Sequence, residues 1–389
     1  MDGSLQARQT KEVAATQQRT APDSKEDGQQ PRGVALRGFE DAPTDAIRDY
    51  CHLLGEALAG QGFELDQALI PWVERGWLRG LGWLWRESAK WEGRWVLVQY
   101  TALAWSRRGF PLRLLAVLGV LKVRRVKLAV VFHDALPFPG GRLVDRLRRR
   151  CQTWVMRRCY RWTDKSILTV PLSKVYWLPR EAAKAAFVPV GSTLLGLEDE
   201  AAYEGQRPEG ERTVVVFGVT GGRRIAREVG DIAYVVRQVA QECLQLRIMV
   251  IGRGSEEARE ALQAALQGSG VQIFALGILP GPDIKRIFSG ADALLFVRGH
   301  VSSRRSSAIA AIACGLPIVG YAGDETGSPI VEAGVNLVPE GDREALAEAL
   351  ARVLTDAELW QTLHQRNMAA QRDYFGWDRV AERFLEILE

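Results

Sequence analysis

The stretch Thr213-Val214-Val215-Val216-Phe217-Gly218-Val219-Thr220-Gly221-Gly222-Arg223-Arg224 decides the fold class. It begins as an unbroken apolar run and continues as a loop of glycines and arginines, and a helical pattern follows over Ala226–Cys243. An apolar run without polar alternation is typical of a strand that is buried on both faces of a parallel sheet. The stretch therefore predicts a strand–loop–helix unit of an α/β protein.

The same alternation recurs along the chain. In the second half we predict strands at Thr213–Phe217, Arg247–Ile251, Val271–Leu276, Ala293–Val297 and Leu316–Tyr321, separated by helices at Ala226–Cys243, Glu256–Gln267, Pro282–Gly290 and Ser307–Cys314. In the first half we predict strands at Gly33–Leu36, Phe63–Ile70, Trp95–Gln99, Lys127–Phe132 and Ser166–Val170, with helices at Thr44–Gly60 and Gly141–Trp162. The pattern predicts an α/β fold of two Rossmann-like domains that face each other across a cleft, with ligands at the carboxyl ends of the strands.

Composition divides the chain into five segments. Residues 1–32 are polar, contain no aromatic residue and have balanced charges, which predicts a disordered N-terminal tail. Two domains, 33–190 and 212–372, are joined by a linker at 191–211 that is rich in glycine and glutamate. A last helical pattern at Asp378–Leu388 belongs to a C-terminal segment, 373–389.

Charge and cysteine content exclude several classes of protein. The net charge of +4 is small for 389 residues and gives no support to nucleic-acid binding. The five cysteines are scattered and lack a CxxC pair, so we expect neither a zinc site nor a disulfide framework, and a cytoplasmic location fits them best. We expect no transmembrane helix, because charges interrupt the most apolar stretch, Leu112–Phe132, and no signal peptide.

The loop after the strand Thr213–Phe217 is the first candidate binding site. Its glycines, Gly218, Gly221 and Gly222, let a ligand approach the backbone, and Arg223 and Arg224 offer forked donors that suit phosphate. The alternative is a flexible turn with solvated arginines. The residues by themselves leave both interpretations open.

The second candidate loop, Arg298–Ser307, leads into the helix that ends at Cys314. It contains Ser302, Ser303, Arg304, Arg305, Ser306 and Ser307. We expect Ser306 or Ser307 to cap the helix, whose N-terminus attracts an anion. The alternative is a capped helix with exposed arginines, but four serines around two arginines exceed what capping requires. We therefore predict a pyrophosphate site here.

His133 and Asp134 form the third candidate site. They directly follow the strand Lys127–Phe132, at the edge of the sheet that faces the cleft, where a histidine can donate to a sugar hydroxyl or to a leaving phosphate. A lone histidine is more often structural. The position at a strand end favours a catalytic pair.

Several motifs occur together in the order of a known family. They are Phe132-His133-Asp134, Val188-Pro189-Val190-Gly191, Phe217-Gly218, Val250-Ile251-Gly252-Arg253-Gly254, Leu276-Gly277-Ile278-Leu279, Ala291-Asp292-Ala293-Leu294-Leu295 and Ala313-Cys314-Gly315-Leu316-Pro317-Ile318-Val319. With them the chain resembles the retaining GT-B glycosyltransferases of family-four type. The resemblance covers residues 33–389 and is strongest from residue 188 onward.

The resemblance implies roles for the candidate residues. Arg223, Arg224 and the serines at the helix N-terminus would hold the diphosphate of a nucleoside diphosphate sugar, and Gly277 and Ile278 would frame its base. His133 would contact the transferred sugar, the first domain would bind a hydroxyl acceptor on a glycan or a lipid-linked compound, and the last helix would cross back to that domain. The family works without a metal ion and uses no cofactor besides the donor.

Two departures from the family pattern leave alternatives open. The family often has two glutamates where this chain has Ser302 and Ala310. The absence of these two carboxylates agrees less well with catalysis. The chain could therefore be an inactive protein that binds nucleotide sugars, or an epimerase of the same fold. Phe39–Asp45 replaces the family's glycine pair. The acids of this stretch could bind acceptor hydroxyls or cap the helix at Thr44, and we expect capping.

The segment Gly141–Trp162 suggests a further partner. It contains eight arginines and one acid, and an apolar stripe of Leu143, Leu147, Cys151, Trp154, Val155 and Cys159 recurs at helical spacing. Such a helix can dock on an anionic membrane surface. The alternative is that the stripe packs on the sheet of the first domain.

Overall fold

The structure is a computed structural model that describes residues 32–40, 45–192, 210–220, 225–242 and 245–389. The predicted N-terminal tail (except residue 32) and most of the predicted linker lie outside the described residues. So do Thr44, Gly221, Gly222, Arg223 and Arg224, and their predicted roles stay predictions.

The first half of the chain forms a parallel six-stranded sheet. Its strands are β1 (Arg32–Arg37), β2 (Glu64–Leu69), β3 (Trp95–Tyr100), β4 (Lys127–Phe132), β5 (Lys165–Leu168) and β6 (Ala185–Phe187), in the order β2-β1-β3-β4-β5-β6. The helices between them are α1 (Ala46–Gly60), α2 (Trp72–Arg75), α3 (Trp77–Glu87), α4 (Ala102–Trp105), α5 (Arg113–Val123) and α6 (Leu143–Trp162). The central strand β3 is buried along its whole length, as an unbroken apolar run predicts.

The second half forms another parallel six-stranded sheet. Its strands are β7 (Glu211–Phe217), β8 (Gln245–Ile251), β9 (Gln272–Gly277), β10 (Ala293–His300), β11 (Ile318–Tyr321) and β12 (Val335–Val338), in the order β12-β11-β10-β7-β8-β9. The helices are α7 (Ile225–Val239), α8 (Ser255–Ala265), α9 (Gly281–Ser289), α10 (Ser306–Ala313), α11 (Arg343–Thr355), α12 (Ala357–Ala370) and α13 (Trp377–Leu388). The strand order reverses between β7 and β10, which opens a crevice at their carboxyl ends. The predicted fold class is confirmed.

The last helix, α13, packs on α1 of the first half. The indole N–H of Trp95 on β3 donates to the carbonyl of Leu388 at 2.7 Å, and the Trp377 indole donates to the carbonyl of Ser192 at 2.6 Å. The amphipathic pattern of α13 buries Val380 and Phe384 against this face. The C-terminal helix therefore completes the core of the first half.

Sequence patterns did not predict the helices α2 to α5 or the elements β12, α11 and α12. In α5 the apolar residues surround the helix almost completely, so no 3.6-residue period marks it. The predicted capping of α1 is confirmed for one residue of Phe39–Asp45. Asp45 is the N-cap of α1, which begins at Ala46, and its carboxylate accepts the N–H groups of Ile47 and Arg48 at 2.9 and 3.2 Å.

The apolar stripe of α6 is not continuous, which corrects the prediction. Val155 and Cys159 are buried against the sheet, whereas Leu143 and Leu147 are exposed. The predicted residues drift around the helix because their spacing departs from 3.6 residues per turn. Among the described residues, no helix is long and apolar enough to cross a membrane.

Candidate active site

The predicted site residues of the two halves meet at the carboxyl ends of β4 and β10. Nη1 of Arg304 lies 3.4 Å from Oδ1 of Asp134. The Ser303 hydroxyl donates to the carbonyl of Thr169 at 2.7 Å, and the Ser303 carbonyl accepts the N–H of Val190 at 3.0 Å. Ser303 therefore links the two halves by hydrogen bonds, although the sequence suggested it for donor binding.

Glu325 is a residue of this site that the sequence analysis missed. Its Oε2 accepts hydrogen bonds from Nε of Arg304 at 2.7 Å, from the Ser302 hydroxyl at 3.3 Å and from Nε2 of His300 at 3.3 Å. Burial alone would raise the pKa of Glu325, but these hydrogen bonds and the charge of Arg304 lower it to about 2. Glu325 is therefore ionised at neutral pH.

A sequence signal for Glu325 existed. It follows β11, in the loop Ala322-Gly323-Asp324-Glu325, and loops at strand ends carry the chemistry of such folds. The family pattern instead places its carboxylates at the positions of Ser302 and Ala310. Ser302 is fully buried and hydrogen-bonded to Glu325, and Ala310 is 1% exposed inside α10. The site has a carboxylate next to Ser302, but it comes from another loop.

Arg305 and Arg298 bring positive charge to the crevice between β7 and β10. Burial, followed by the charge of Arg304, lowers the pKa of Arg305 to about 10, and burial also lowers the pKa of Arg298. Nε of Arg305 is buried without a hydrogen-bond partner, and Arg305 forms no ion pair within the described ranges. Two desolvated guanidinium groups that repel each other make a site for an anion.

Gly218 allows the guanidinium group of Arg298 to approach the backbone. It has a positive φ of +80°, and a Cβ there would lie 2.5 Å from Nη1 of Arg298. Only glycine fits both conditions without strain. Arg298 opens the second predicted loop, where it was given no role of its own; in the structure it belongs to β10, which extends to His300, beyond the predicted strand end at Val297.

The N-terminus of α10 carries no side-chain cap, which corrects the predicted role of its serines. Ser306 and Ser307 are the first two residues of the helix, and Arg305 occupies the N-cap position without capping it by a side-chain hydrogen bond. A helix start without a side-chain cap has N–H groups to offer to an anion. This arrangement agrees with a diphosphate near Ser306 and Ser307, which stays a prediction.

His133 is held as a neutral ring. Nε2 lies 2.8 Å from Oε1 of Gln99, whose Nε2 donates to the carbonyl of Leu97 at 3.1 Å and so fixes the amide orientation. Nε2 of His133 is therefore the protonated nitrogen, and Nδ1 keeps the lone pair. Burial, followed by the charge of Arg304, lowers the pKa of His133 to about 3. His133 can accept a hydrogen bond through Nδ1, but it has no second N–H to donate.

Asp134 completes the first-half side of the site. Its Oδ2 accepts the N–H of Ala102 at 3.4 Å, and its Oδ1 faces Arg304. Burial raises the pKa of Asp134 above its ordinary value, although Arg304 and the Ala102 N–H oppose the shift. His133 and Asp134 thus differ in environment although they are adjacent.

Gly277 and Ile278 lie at the end of β9, beside the loop after β8. The N–H of Gly252 donates to the carbonyl of Gly277 at 2.6 Å, and the Ser255 hydroxyl accepts the N–H of Gly277 at 3.0 Å. The side chain of Ile278 is 51% exposed. Both residues lie at the same edge of the sheet as Arg298 and Arg305, and their role in binding a base stays a prediction.

A cavity of about 600 Å³ opens next to Glu325 between the two halves. From the first half it is lined by Arg149, Ser173, Lys174 and Tyr176, among others, and from the second half by Gly323 and Asp324. Its size is within the range of small-molecule sites. Among the described residues, no group of three histidine, cysteine or acidic side chains could hold a metal ion.

Comparisons with known proteins agree with this geometry. Residues 214–356 match the family model described as Glycosyl transferases group 1. The chain resembles the GT-B glycosyltransferases. The predicted resemblance is confirmed at this level, and the family-four type with retention stays a prediction.

One curated relative is the 2-deoxystreptamine N-acetyl-D-glucosaminyltransferase of Streptomyces fradiae. It is 31% identical over 201 residues, which is 46% of this chain and 45% of the relative. The alignment thus spans less than half of the relative's length.

Two solved structures show the same fold over nearly the whole chain. Anabaena Alr3699/HepE in complex with UDP and glucose has a TM-score of 0.61 at 14% identity, covering 92% of this chain and 99% of that one. A candidate UDP-N-acetylglucosamine 2-epimerase of Listeria monocytogenes has a TM-score of 0.58 at 13% identity, with coverages of 92% and 96%. The fold is therefore shared by a protein that binds UDP and glucose and by a candidate epimerase.

Proposed function

We propose that this chain is a glycosyltransferase that moves a sugar from a nucleoside diphosphate donor to a hydroxyl acceptor. The observation that carries the proposal is the pair of desolvated guanidinium groups, Arg298 and Arg305, beside the uncapped N-terminus of α10. A diphosphate would neutralise both cations and accept the free N–H groups. The family match and the transferase named among the relatives support the same reaction class.

The donor half of the site acts by charge. The bond between the anomeric carbon and the diphosphate oxygen breaks, its electron pair stays on the diphosphate, and the acceptor oxygen forms the new bond as its proton is released. Arg298 and Arg305 are already desolvated, so they stabilise the growing negative charge with little reorganisation of water. We expect Arg223 and Arg224 to add to this stabilisation.

The first half supplies the sugar contacts. His133 accepts a sugar hydroxyl through Nδ1, because Gln99 occupies its N–H. The cavity next to Glu325 holds the acceptor, whose hydroxyl then faces the donor site. We assign a UDP-linked donor, since HepE, which has this fold, is described in complex with UDP and glucose.

Retention and independence from metal ions belong to the same proposal. Both come from the resemblance to the family-four transferases. Glu325 provides a carboxylate beside Ser302, 3.3 Å from that hydroxyl. It holds Arg304 in place and so acts as a positioning residue for the site.

An epimerase is the second candidate, because a candidate epimerase shares the fold. Such an enzyme needs acid and base groups that exchange protons in the cleft. Glu325 does not suit this role, since its pKa of about 2 keeps it ionised. Of the two carboxylates next to Arg304, only Asp134 has a raised pKa. We therefore favour transfer over epimerisation.

A thermal-shift screen with UDP, GDP, ADP and TDP on the wild type and on Arg305→Ala tests the donor site. We expect UDP to stabilise the wild type by about 2.7 kcal/mol when it is present at about a hundred times its dissociation constant. The stabilisation should be lost in Arg305→Ala and kept in Arg286→Ala, an exposed arginine on α9. If none of the nucleotides stabilises the wild type, the proposal is wrong.

The reaction class is tested with the nucleotide sugar selected by that screen. A transferase releases the nucleoside diphosphate and does so faster when a hydroxyl acceptor is added. An epimerase converts the donor into its isomer without an acceptor and releases no nucleotide, and an inactive binding protein does neither. Chromatography of the nucleotides after incubation separates the three outcomes.

A further inference from the structure

One face of the first half exposes large apolar side chains. Of the eighteen large apolar side chains that are exposed in the described residues, twelve lie between Val73 and Tyr176, in about a third of the described chain. On the helices α3, α5 and α6 and at their ends these are Leu78, Trp85, Leu112, Val123, Leu143, Val144, Leu147 and Trp154. Isolated exposed apolar residues need no explanation, but a concentration on one layer does.

The three helices form a single layer on one side of the sheet. They connect β2 to β3, β3 to β4 and β4 to β5, so their right-handed crossovers place them on the same face. α3 contacts α5, and α5 contacts α6. The opposite face is covered by α1 and α13. We call the outer surface of α3, α5 and α6 the basic face.

The longest helix of the basic face, α6, combines apolar and cationic side chains on its exposed side. At about 100° per residue, Leu143, Leu147 and Trp154 fall within about a third of the helix circumference. The arginines of the same third are Arg146, Arg150, Arg157, Arg158 and Arg161. Leu143 is 82% exposed, whereas Val155 and Met156 on the other side are fully buried. The outward third of α6 thus combines apolar and cationic side chains and contains no acid.

Net charge distinguishes this part of the chain from the rest. Residues 72–162 contain 20 lysines and arginines against 5 acids, a net charge of +15, whereas the whole chain has +4. The remaining residues therefore carry −11 together. A local excess of this size attracts an anionic surface over about a Debye length, roughly 10 Å in moderate salt.

Exposed tryptophans of this layer are paired with arginines. The guanidinium carbon of Arg124 lies 3.8 Å from the ring centre of Trp85, and that of Arg158 lies 5.4 Å from the ring centre of Trp154. Both tryptophans are nearly half exposed. Tryptophan and arginine together suit the interface between lipid headgroups and acyl chains, where each has one polar and one apolar contact.

We propose that the basic face docks the protein on an anionic lipid bilayer. Charge complementarity favours lipid headgroups, and the protruding leucines and tryptophans supply the apolar contacts that reach the acyl region. A protein partner fits less well, because the core of a protein interface is depleted of charge, whereas the outward third of α6 has arginines among its exposed apolar residues. The docking does not depend on the transferase activity.

Sedimentation of the full chain with vesicles tests the docking. One set of vesicles contains phosphatidylcholine and phosphatidylglycerol, and the other contains phosphatidylcholine alone. We expect the protein to sediment with the anionic vesicles only, and the bound fraction to fall as salt is added. Absence of binding to the anionic vesicles at low salt would overturn the proposal.

Two pairs of substitutions separate the apolar contribution from the cationic one. Leu143→Ser with Leu147→Ser should lower the partition coefficient at least about tenfold, since two exposed leucines no longer enter the lipid. Arg146→Gln with Arg150→Gln should lower it about 25-fold, since each cation near the surface contributes about 1 kcal/mol, or about fivefold. These side chains are exposed, so the fold should persist, and circular dichroism checks this.

Matched controls away from the basic face complete the test. Val331→Ser with Met368→Ser removes two similarly exposed apolar side chains, and Arg286→Gln with Arg379→Gln removes two exposed arginines. Neither pair should change vesicle binding. If the leucine pair leaves vesicle binding unchanged, the proposal is wrong. It is also wrong if the protein forms a dimer without lipid, as seen by analytical ultracentrifugation, and the leucine pair abolishes that dimer, because a second copy of the chain then covers this face.

Discussion

Arg304 and Arg305 are adjacent in the sequence but differ in their partners. Arg304 is paired with Glu325 and Asp134, and these charges raise its pKa although burial opposes the shift. Arg305 is similarly buried, but no carboxylate within the described ranges forms an ion pair with it, and its pKa is lowered. A paired cation stabilises its surroundings, whereas a desolvated unpaired cation costs free energy until an anion binds.

Alanine at each position should therefore have opposite effects on the protein without ligand. Arg304→Ala leaves Glu325 buried without its main partner, which should lower the free energy of unfolding by about 3 kcal/mol. Arg305→Ala removes an unpaired cation and should leave the free energy of unfolding unchanged or higher. Urea denaturation without nucleotide compares the two variants. Equal destabilisation by both would contradict this account of Arg305.

His133 should make stability depend on pH. The unfolded chain takes up a proton at this residue below about 6.5, whereas the folded chain does so only near 3. Stability is therefore lost as the pH falls, and between pH 6.5 and pH 5 the loss amounts to about 2 kcal/mol. Glu325 loses its contribution only as the pH falls through its ordinary pKa of 4.5, so the interval above pH 5 reports mainly on His133.

Urea denaturation at pH 7.5 and pH 5 measures this effect in the wild type and in His133→Gln. The wild type should lose about 2 kcal/mol more than the variant over this interval. The difference between the two pH values matters here, since the substitution itself can change the stability at both. An equal loss in both proteins would show that His133 is protonated in the folded state.

At the scale of elements, α13 shows how a segment of one half stabilises the other. Its sequence is amphipathic, so the sequence predicts a helix with one buried face but not the surface that covers it. In the structure the buried face meets α1, and the Leu388 carbonyl accepts the Trp95 indole N–H. The first sheet therefore depends on residues almost 300 positions away in the sequence.

Phe384→Ala tests this dependence. Phe384 is fully buried in the core that α13 shares with α1, so its removal should lower the free energy of unfolding by about 3–5 kcal/mol. Glu386→Ala, on the exposed side of the same helix, should have almost no effect. Urea denaturation followed by tryptophan fluorescence reports the change, because most of the tryptophans belong to the first half. A loss below about 1 kcal/mol would mean that α13 is not needed for that core.

At the scale of the whole molecule, a few polar contacts connect the two halves at the site. They are the Arg304–Asp134 ion pair and the hydrogen bonds of Ser303 with Thr169 and Val190. An ion pair that keeps about a fifth of each side chain exposed contributes little by itself, roughly 1 kcal/mol or less. Contacts of this strength can break and form again as ligands enter and leave, which suits a cleft that opens and closes.

Asp134→Asn with Ser303→Ala should favour the open cleft. The variant loses the ion pair and one hydrogen bond between the halves, so its radius of gyration by small-angle X-ray scattering should exceed that of the wild type. Asp283→Asn with Ser269→Ala removes the same two side-chain types on the second half alone and should leave the radius unchanged. An unchanged radius in the first variant would show that other contacts hold the halves together.

The sequence alone determined the α/β class, the two parallel sheets and the position of most strands between Thr213 and Tyr321. It did so because strands buried on both faces are unbroken apolar runs, and because glycine-marked turns separate them from helices. It also selected His133, Asp134 and the loop from Ser302 to Ser307, since residues at strand ends reach the ligand edge of such a sheet. These are local properties that neighbouring residues specify.

Only the tertiary structure decided which of these residues act together. Glu325 became part of the site because the loop after β11 folds onto Arg304, 21 positions earlier in the sequence. The neutral state of His133 depends on Gln99, and the unpaired state of Arg305 depends on which carboxylates Arg304 has already bound. Burial, ion pairing and the outward direction of Leu143 depend on distances between elements far apart in the sequence, so no local pattern specifies them.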